Sequence, residues 1–117
     1  MKVLNKYTLV FAFFFSGSAF SHGGIKLESS NPSSNAMLME SPQALSFSFS
    51  QELRLMKVTV KGQNAGEVDV GFRLSHDKEA EYTWALPKLK PDTYTVEWIA
   101  MGSDGHKMKE SYSFMVH

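Results

Sequence analysis

Beyond the first twenty residues the chain has four histidines, at 22, 76, 106 and 117. Two of them have neighbours that could help bind a metal. His106 lies in Met101-Gly-Ser-Asp-Gly-His-Lys107, two residues after Asp104. Residues two apart in an extended segment project to one side, which would pair a carboxylate oxygen with an imidazole nitrogen. The same stretch also reads as a plain Asp-Gly turn beside an exposed histidine. His22 follows Ala19-Phe-Ser21, whose small residues at −3 and −1 suit a signal-peptidase cut. Cleavage there would give His22 a free α-amine, and that amine with its own Nδ1 can close a six-membered chelate ring. An α-amine has a pKa of about 7.7–8.0, so giving up its proton to a metal costs little near neutral pH. Copper(II) favours tetragonal nitrogen and oxygen sets and heads the divalent affinity order. The bland alternative is that His22 merely follows the cut. His76 and His117 are read as surface residues without a role.

The chelate requires an exported, trimmed chain, and the amino-terminal stretch has that character. Lys2 and Lys6 precede an almost wholly apolar run at residues 7–15, then a small-residue exit. A basic start, a short apolar run and an A-x-S exit make a secretory signal peptide. The run is well short of the roughly 20 apolar residues of a spanning helix. Residues 1–21 are therefore expected to be a cleaved leader and residues 22–117 one domain. Lys2 and Lys6 leave with the leader, so ten basic side chains face twelve acidic ones, a balance of −2. That charge is no attraction for nucleic acid or an anionic membrane. The chain has no cysteine, which removes disulfides, thiolate metal sites and the lipid-attachment residue of lipoproteins. Stability must come from apolar burial, which about 96 residues can supply modestly.

Strands must position these residues. Leu45, Phe47 and Phe49 alternate with Ser46, Ser48 and Ser50, and Met56, Val58 and Val60 alternate with Lys57, Thr59 and Lys61. Tyr94, Val96, Trp98 and Ala100 share one face, as do Tyr112, Phe114 and Val116. Period-two alternation marks half-buried strands. Weaker candidates are 25–29, 68–74 and 82–86, while 36–40 suits one helical turn. Seven short strands between Ser, Asn, Pro, Gly and Asp clusters predict an all-β sandwich. The segment 86–94 reads as the crossing between sheets, and Tyr94 is placed to bond its hydroxyl back to that crossing, a tyrosine corner. Trp98 is expected to be buried near the Asp-x-His loop, and Trp84 to belong to the core.

Several stretches in order resemble one family. They are His22 with an opening strand, Ser29-Ser-Asn-Pro-Ser33, and Ser41-Pro-Gln-Ala-Leu-Ser-Phe-Ser-Phe-Ser50. The most specific are Leu89-Lys-Pro-Asp-Thr-Tyr-Thr-Val-Glu-Trp98 and Ser103-Asp-Gly-His-Lys-Met-Lys-Glu-Ser-Tyr-Ser-Phe114. Together they resemble the CopC copper-resistance family from His22 to Val116. The resemblance implies a seven-stranded Greek-key, immunoglobulin-like β-sandwich or barrel in the periplasm. It also implies copper(II) bound by His22, through amine and ring, with Asp104 and His106. As partner it implies an inner-membrane copper transport protein.

The chain departs from the family pattern in three places. Gln51 stands where many relatives have an acidic residue after Phe-Ser, and Gln51 is expected to bond a ligand or water. Glu52, one residue on, should point to the other face. Gly23 and Gly24 follow His22, so the chelate that needs His at the third position is ruled out. Some relatives carry a methionine-rich copper(I) loop, but the 62–77 region here has no methionine. Met56 and Met101 read as strand residues, Met37 and Met39 as loop packing, and Met108 as the thioether nearest the candidate site.

A copper carrier or buffer is the leading function. A small copper oxidase or monooxygenase with an amino-terminal histidine would use similar donors. Against it, Asp104 as ligand would occupy the position oxygen activation needs open, and 96 residues leave little room for a polysaccharide-binding face. A metal-free immunoglobulin-like interaction module is the third reading.

Overall fold

The computed structural model describes residues 25–117. The expected leader at residues 1–21, and His22, lie outside the described residues. Seven strands follow in order: β1 (Leu27–Asn31), β2 (Met37–Leu38), β3 (Ala44–Gly62), β4 (Gly66–Val68), β5 (Glu79–Ala85), β6 (Asp92–Met101) and β7 (Lys107–Val116). Among the described residues there is no helix.

The two central alternating runs form one strand. Residues 44–61 contain neither glycine nor proline, so nothing at Gln51-Glu52 turns the chain. β3 instead passes from one sheet to the other. Its first half pairs antiparallel with β1 (Phe47 opposite Ser30) and β5 (Leu45 opposite Trp84). Its second half pairs antiparallel with β6 (Val58 opposite Trp98) and β4 (Val60 opposite Val68). Register shifts between Ser48 and Leu53, and again between Leu55 and Lys57, accompany the crossing. Extra residues of this kind bend a strand and increase its twist. β7 continues the second sheet beside β6, and β2 closes its edge in a parallel pair with β7. The result is an all-β, seven-stranded sandwich of one curled sheet.

Seven strands are present as expected, and four of the expected runs lie on β1, β5, β6 and β7, but the set is not the same seven. Two fused, and residues 36–40 supplied β2 in place of a helical turn, because Ala36 and Leu38 carbonyls accept the Met115 and His117 N–H groups at 2.8 Å. The 68–74 candidate ends at Val68. Beyond it the Asp69 carboxylate accepts the Gly71 N–H at 2.9 Å, and Gly71 has φ +70°, a local turn that competes with strand pairing.

The halves close on aromatic rings. Phe49 and Trp98 meet edge to face at 5.1 Å, and Phe47 and Trp98 lie 6.3 Å apart. Such contacts add about 0.5–1.5 kcal/mol each beyond area burial. No polar or charged residue among those described is fully buried, so apolar packing holds the core. Trp84 packs against Phe47 at 5.4 Å from a half-buried edge position. The tyrosine corner is present: Tyr94 is buried, and its hydroxyl donates to the Lys90 carbonyl at 2.6 Å. Tyr94→Phe should lower stability by about 0.5–1.5 kcal/mol, read as a fall of several degrees in Tm for a domain this size.

Asp92, opening β6, ties down the β3–β4 turn. Its Oδ2 accepts the Ala65 and Asn64 N–H groups at 2.7 and 2.8 Å, and its Oδ1 accepts the Thr93 N–H at 2.8 Å. The Ala65 N–H leads these donors in holding the Asp92 carboxyl below its ordinary range. Donors to the charged form favour it. A depressed folded-state pKa stabilises the fold above the unfolded value near 3.9, and the benefit disappears as pH falls through the folded value. Asp92→Asn should therefore cost stability fully at pH 6. Its deficit should shrink below about pH 4, as the wild-type carboxyl also takes a proton; denaturant unfolding of both proteins across pH 2–7 measures it.

Candidate metal centre

The turn between β6 and β7 carries Asp104 and His106. Gly102 N–H donates to the His106 carbonyl at 3.0 Å, and Gly105 N–H to the Gly102 carbonyl at 3.0 Å. Gly105 has φ +84°, a left-handed conformation that side chains resist. Asp104 then folds over the turn. Its Oδ1 accepts the His106 backbone N–H at 3.0 Å, and its Oδ2 lies 2.9 Å from His106 Nδ1. The backbone N–H, then the ring, hold the Asp104 carboxyl below its usual range. It is thus an anion throughout the neutral range, ready to hold a cation. The His106 side chain is 86 % exposed, open to an ion from solvent.

The separation of the pair has chemical meaning. Two donors bound at about 2 Å and 90° to one ion lie about 2.8 Å apart. Asp104 Oδ2 and His106 Nδ1, at 2.9 Å, have that spacing, and a ring rotation that turns the Nδ1 lone pair off the carboxylate would let them share an ion. Alternatively the carboxylate orients the ring so that Nε2 faces the ion. Two donors do not complete a site. Among the described residues no group of three or more His, Cys, Asp and Glu could hold a metal.

The start of the described chain packs on this turn. A Cβ added to Gly102 would stand 2.9 Å from Ile25 Cδ1 and 3.2 Å from Asp104 Oδ1. Ile25 is buried and lines a groove with Leu27, Trp98, Met108 and Tyr112. Lys26 is fastened to β3: its carbonyl accepts the Ser50 N–H, and its N–H donates to Ser50 Oγ, both at 2.9 Å. Ile25, where the described residues begin, therefore sits beside the Asp104–His106 turn. Trp98 is buried below it, as the alternation of β6 predicts.

Sequence reasoning missed Ile25 and Gly102 as positioning residues. A lone glycine at a strand end is ordinary, and its purpose shows only once Ile25 lies against it. Met108, singled out as a nearby thioether, is a core residue at 6 % exposure, since its position on β7 faces the groove. Gln51 and Glu52 are both exposed. They fall in the gap between paired residues Ser48 and Leu53, where simple alternation of faces lapses.

A small β-sandwich with a strapped amino-terminal segment and an Asp-x-His hairpin at one pole defines the class. Residues 27–117 match the CopC domain, and the chain belongs to the CopC family. It is 33 % identical over 90 residues to Protein YobA of Escherichia coli K12, covering 73 % of this chain and 72 % of that one. The fold is similar to CopC from Methylosinus trichosporium OB3b, with TM-score 0.64, 24 % identity and 79 % and 92 % of the two chains covered. It is also similar to PcoC, a methionine-rich copper resistance protein from Escherichia coli, with TM-score 0.60, 23 % identity and 80 % and 98 % covered.

Gly102→Ala tests the contact that ties the two segments together. The added methyl should displace Ile25 and the Asp104 carboxylate at a stability cost of about 1 kcal/mol. Amide NMR shifts should concentrate at residues 25–27 and 102–107, with the β3–β4 turn unmoved.

Proposed function

We propose that this protein is a copper(II) carrier or buffer of the periplasm, exported by a leader at residues 1–21. The mature chain would begin at His22. Its α-amine and Nδ1, the His106 imidazole and the Asp104 carboxylate would form a three-nitrogen, one-oxygen set suited to copper(II). The observation that carries this reading is the packing of Ile25 against Gly102 at the foot of the hairpin. Three residues of extended chain span at most about 10 Å, so a residue at 22 can reach the turn from Ile25. Family membership and the copper-resistance relatives favour copper as the ion.

The assembled site holds an ion and performs no reaction. Copper would be cargo, taken up where two tethered segments meet and released to an inner-membrane copper protein. The proposed donor set favours release, with half the donors on a short terminal arm and half on an exposed turn. A partner can therefore replace ligands one at a time, without unfolding the sandwich.

Copper(II) titration followed by tryptophan fluorescence, with Trp98 the indole below the turn, tests the assignment. The protein beginning at His22 should bind one equivalent. Retaining a Met before His22, or substituting His106→Ala, should weaken binding at least a hundredfold, with the circular dichroism spectrum unchanged. Equal affinity in the Met-extended protein would refute the amino-terminal chelate.

A further inference from the structure

The outer face of the second sheet carries its charge unevenly. Arg54 and Lys57 are three residues apart on β3, so strict alternation would send them to opposite faces. The register shift between Leu55 and Lys57 makes Met56 an extra residue, and Arg54 and Lys57 stand opposite Met101 and Ile99 of β6. Leu55, Val58, Trp98 and Ala100 are buried against the core. Arg54, Lys57, Ile99 and Met101 therefore look outward together. β7 completes both rows, with Lys107 opposite Met101 and Lys109 opposite Ile99. Each row reads cation, apolar residue, cation.

Sheet geometry sets the size of this patch. Strands about 4.8 Å apart put the two cations of a row about 10 Å from each other, and the rows lie about 7 Å apart. Lys57, Lys107 and Lys109 are exposed, and Ile99 and Met101 are half-buried between them. One carboxylate answers the four cations: Glu97 Oε2 lies 3.5 Å from Lys109 Nζ. Lys57 and Lys107 form no ion pair with a described residue. The Arg54 Nε–H donates to the Ser75 carbonyl at 2.7 Å, which holds the side chain without neutralising it. Like charges gathered on neighbouring strands cost stability, so folding does not account for the cluster. Cation binding at the adjoining turn does not account for it either, because positive neighbours oppose it.

We propose that this face, flanking the β6–β7 turn, is the docking surface for a protein partner whose contact patch sets carboxylates around an apolar centre. A second copy of the chain does not fit, because a two-fold contact would press the cations onto one another. An anionic bilayer is a poorer match, since residues 25–117 carry more acidic than basic side chains. Ile99 and Met101 also sit low between longer side chains, where they cannot enter lipid. Cations fixed on a rigid sheet steer an acidic partner into one orientation, and a footprint this small suits a transient contact. A partner so placed lies beside Asp104 and His106. The surface stands whether or not that turn binds copper, and its test uses the metal-free protein.

Nitrogen-15 amide NMR reads contact with a short synthetic peptide that carries glutamates on both sides of a central Leu-Phe pair. Shifts should gather at residues 54–57, 99–101 and 107–109. Affinity should fall at least fivefold when ionic strength rises from about 20 to about 200 mM. Lys57→Glu/Lys107→Glu should lower it at least tenfold, and the milder Lys57→Gln/Lys107→Gln at least threefold. Ile99→Thr should lose several-fold. Lys88→Glu/Lys90→Glu makes the same change of net charge at the opposite end of β6, where the Lys90 carbonyl accepts the Tyr94 hydroxyl, and should bind as wild type does. An equal loss in that variant, shifts centred elsewhere, or no binding at all would overturn the proposal. Tighter binding to phosphatidylglycerol vesicles through the same residues would overturn it too, making the face a membrane contact.

Discussion

A strand of 19 residues that belongs to both sheets is the constraint on which this molecule hangs. β3 pairs with β1 and β5 through its first half and with β6 and β4 through its second. Its backbone supplies hydrogen-bond partners to four of the other six strands. Because it runs through unbroken, the two sheets cannot slide relative to one another without breaking ladder bonds on both sides. The rings of Phe47 and Phe49 on its first half then meet Trp98 on β6, and this closes the sandwich.

That arrangement decides where chemistry can occur. β1 is held along the first half of β3, so the chain enters at the level of Ser50 and the β6–β7 turn. β7 runs from that turn to the opposite end of the sheet, where β2 lies against it. The two poles differ in side-chain chemistry for a local reason. At the turn, glycines let an aspartate and a histidine fold onto each other, giving hard oxygen and intermediate nitrogen. At the far edge the two-residue β2 leaves Met37, and Met39 just past its end, facing water. The length of β7 separates them.

Much of the sandwich could be read in advance. Alternation in residues 45–49, 58–60, 94–100 and 112–116 named the core faces correctly, since burying one face of a sheet leaves that pattern whatever the pairing. Tyr94 after Pro91-Asp92 announced its corner, because the residues that make the bond are four apart. What failed were features set by pairing between distant segments. The continuity of β3 shows in the absence of breakers, yet two hydrophobic phases disguised it as two strands. β2 was invisible, because two residues have no period and only β7 makes them a strand. For the same reason Met37 and Met39 were read as packed, whereas both are exposed.

By itself the sequence determined the class of fold, the core, and the residue types able to bind an ion, for these follow from neighbours along the chain. It also determined that Asp104 and His106 share a turn, being two residues apart with glycine between them. Only the tertiary structure decided that Ile25 lies on that turn, and that the short β2 pairs in parallel with the end of β7. The physical reason is that a ladder's register is selected by burial of whole faces. No local stretch of chain specifies which distant strand will lie beside it.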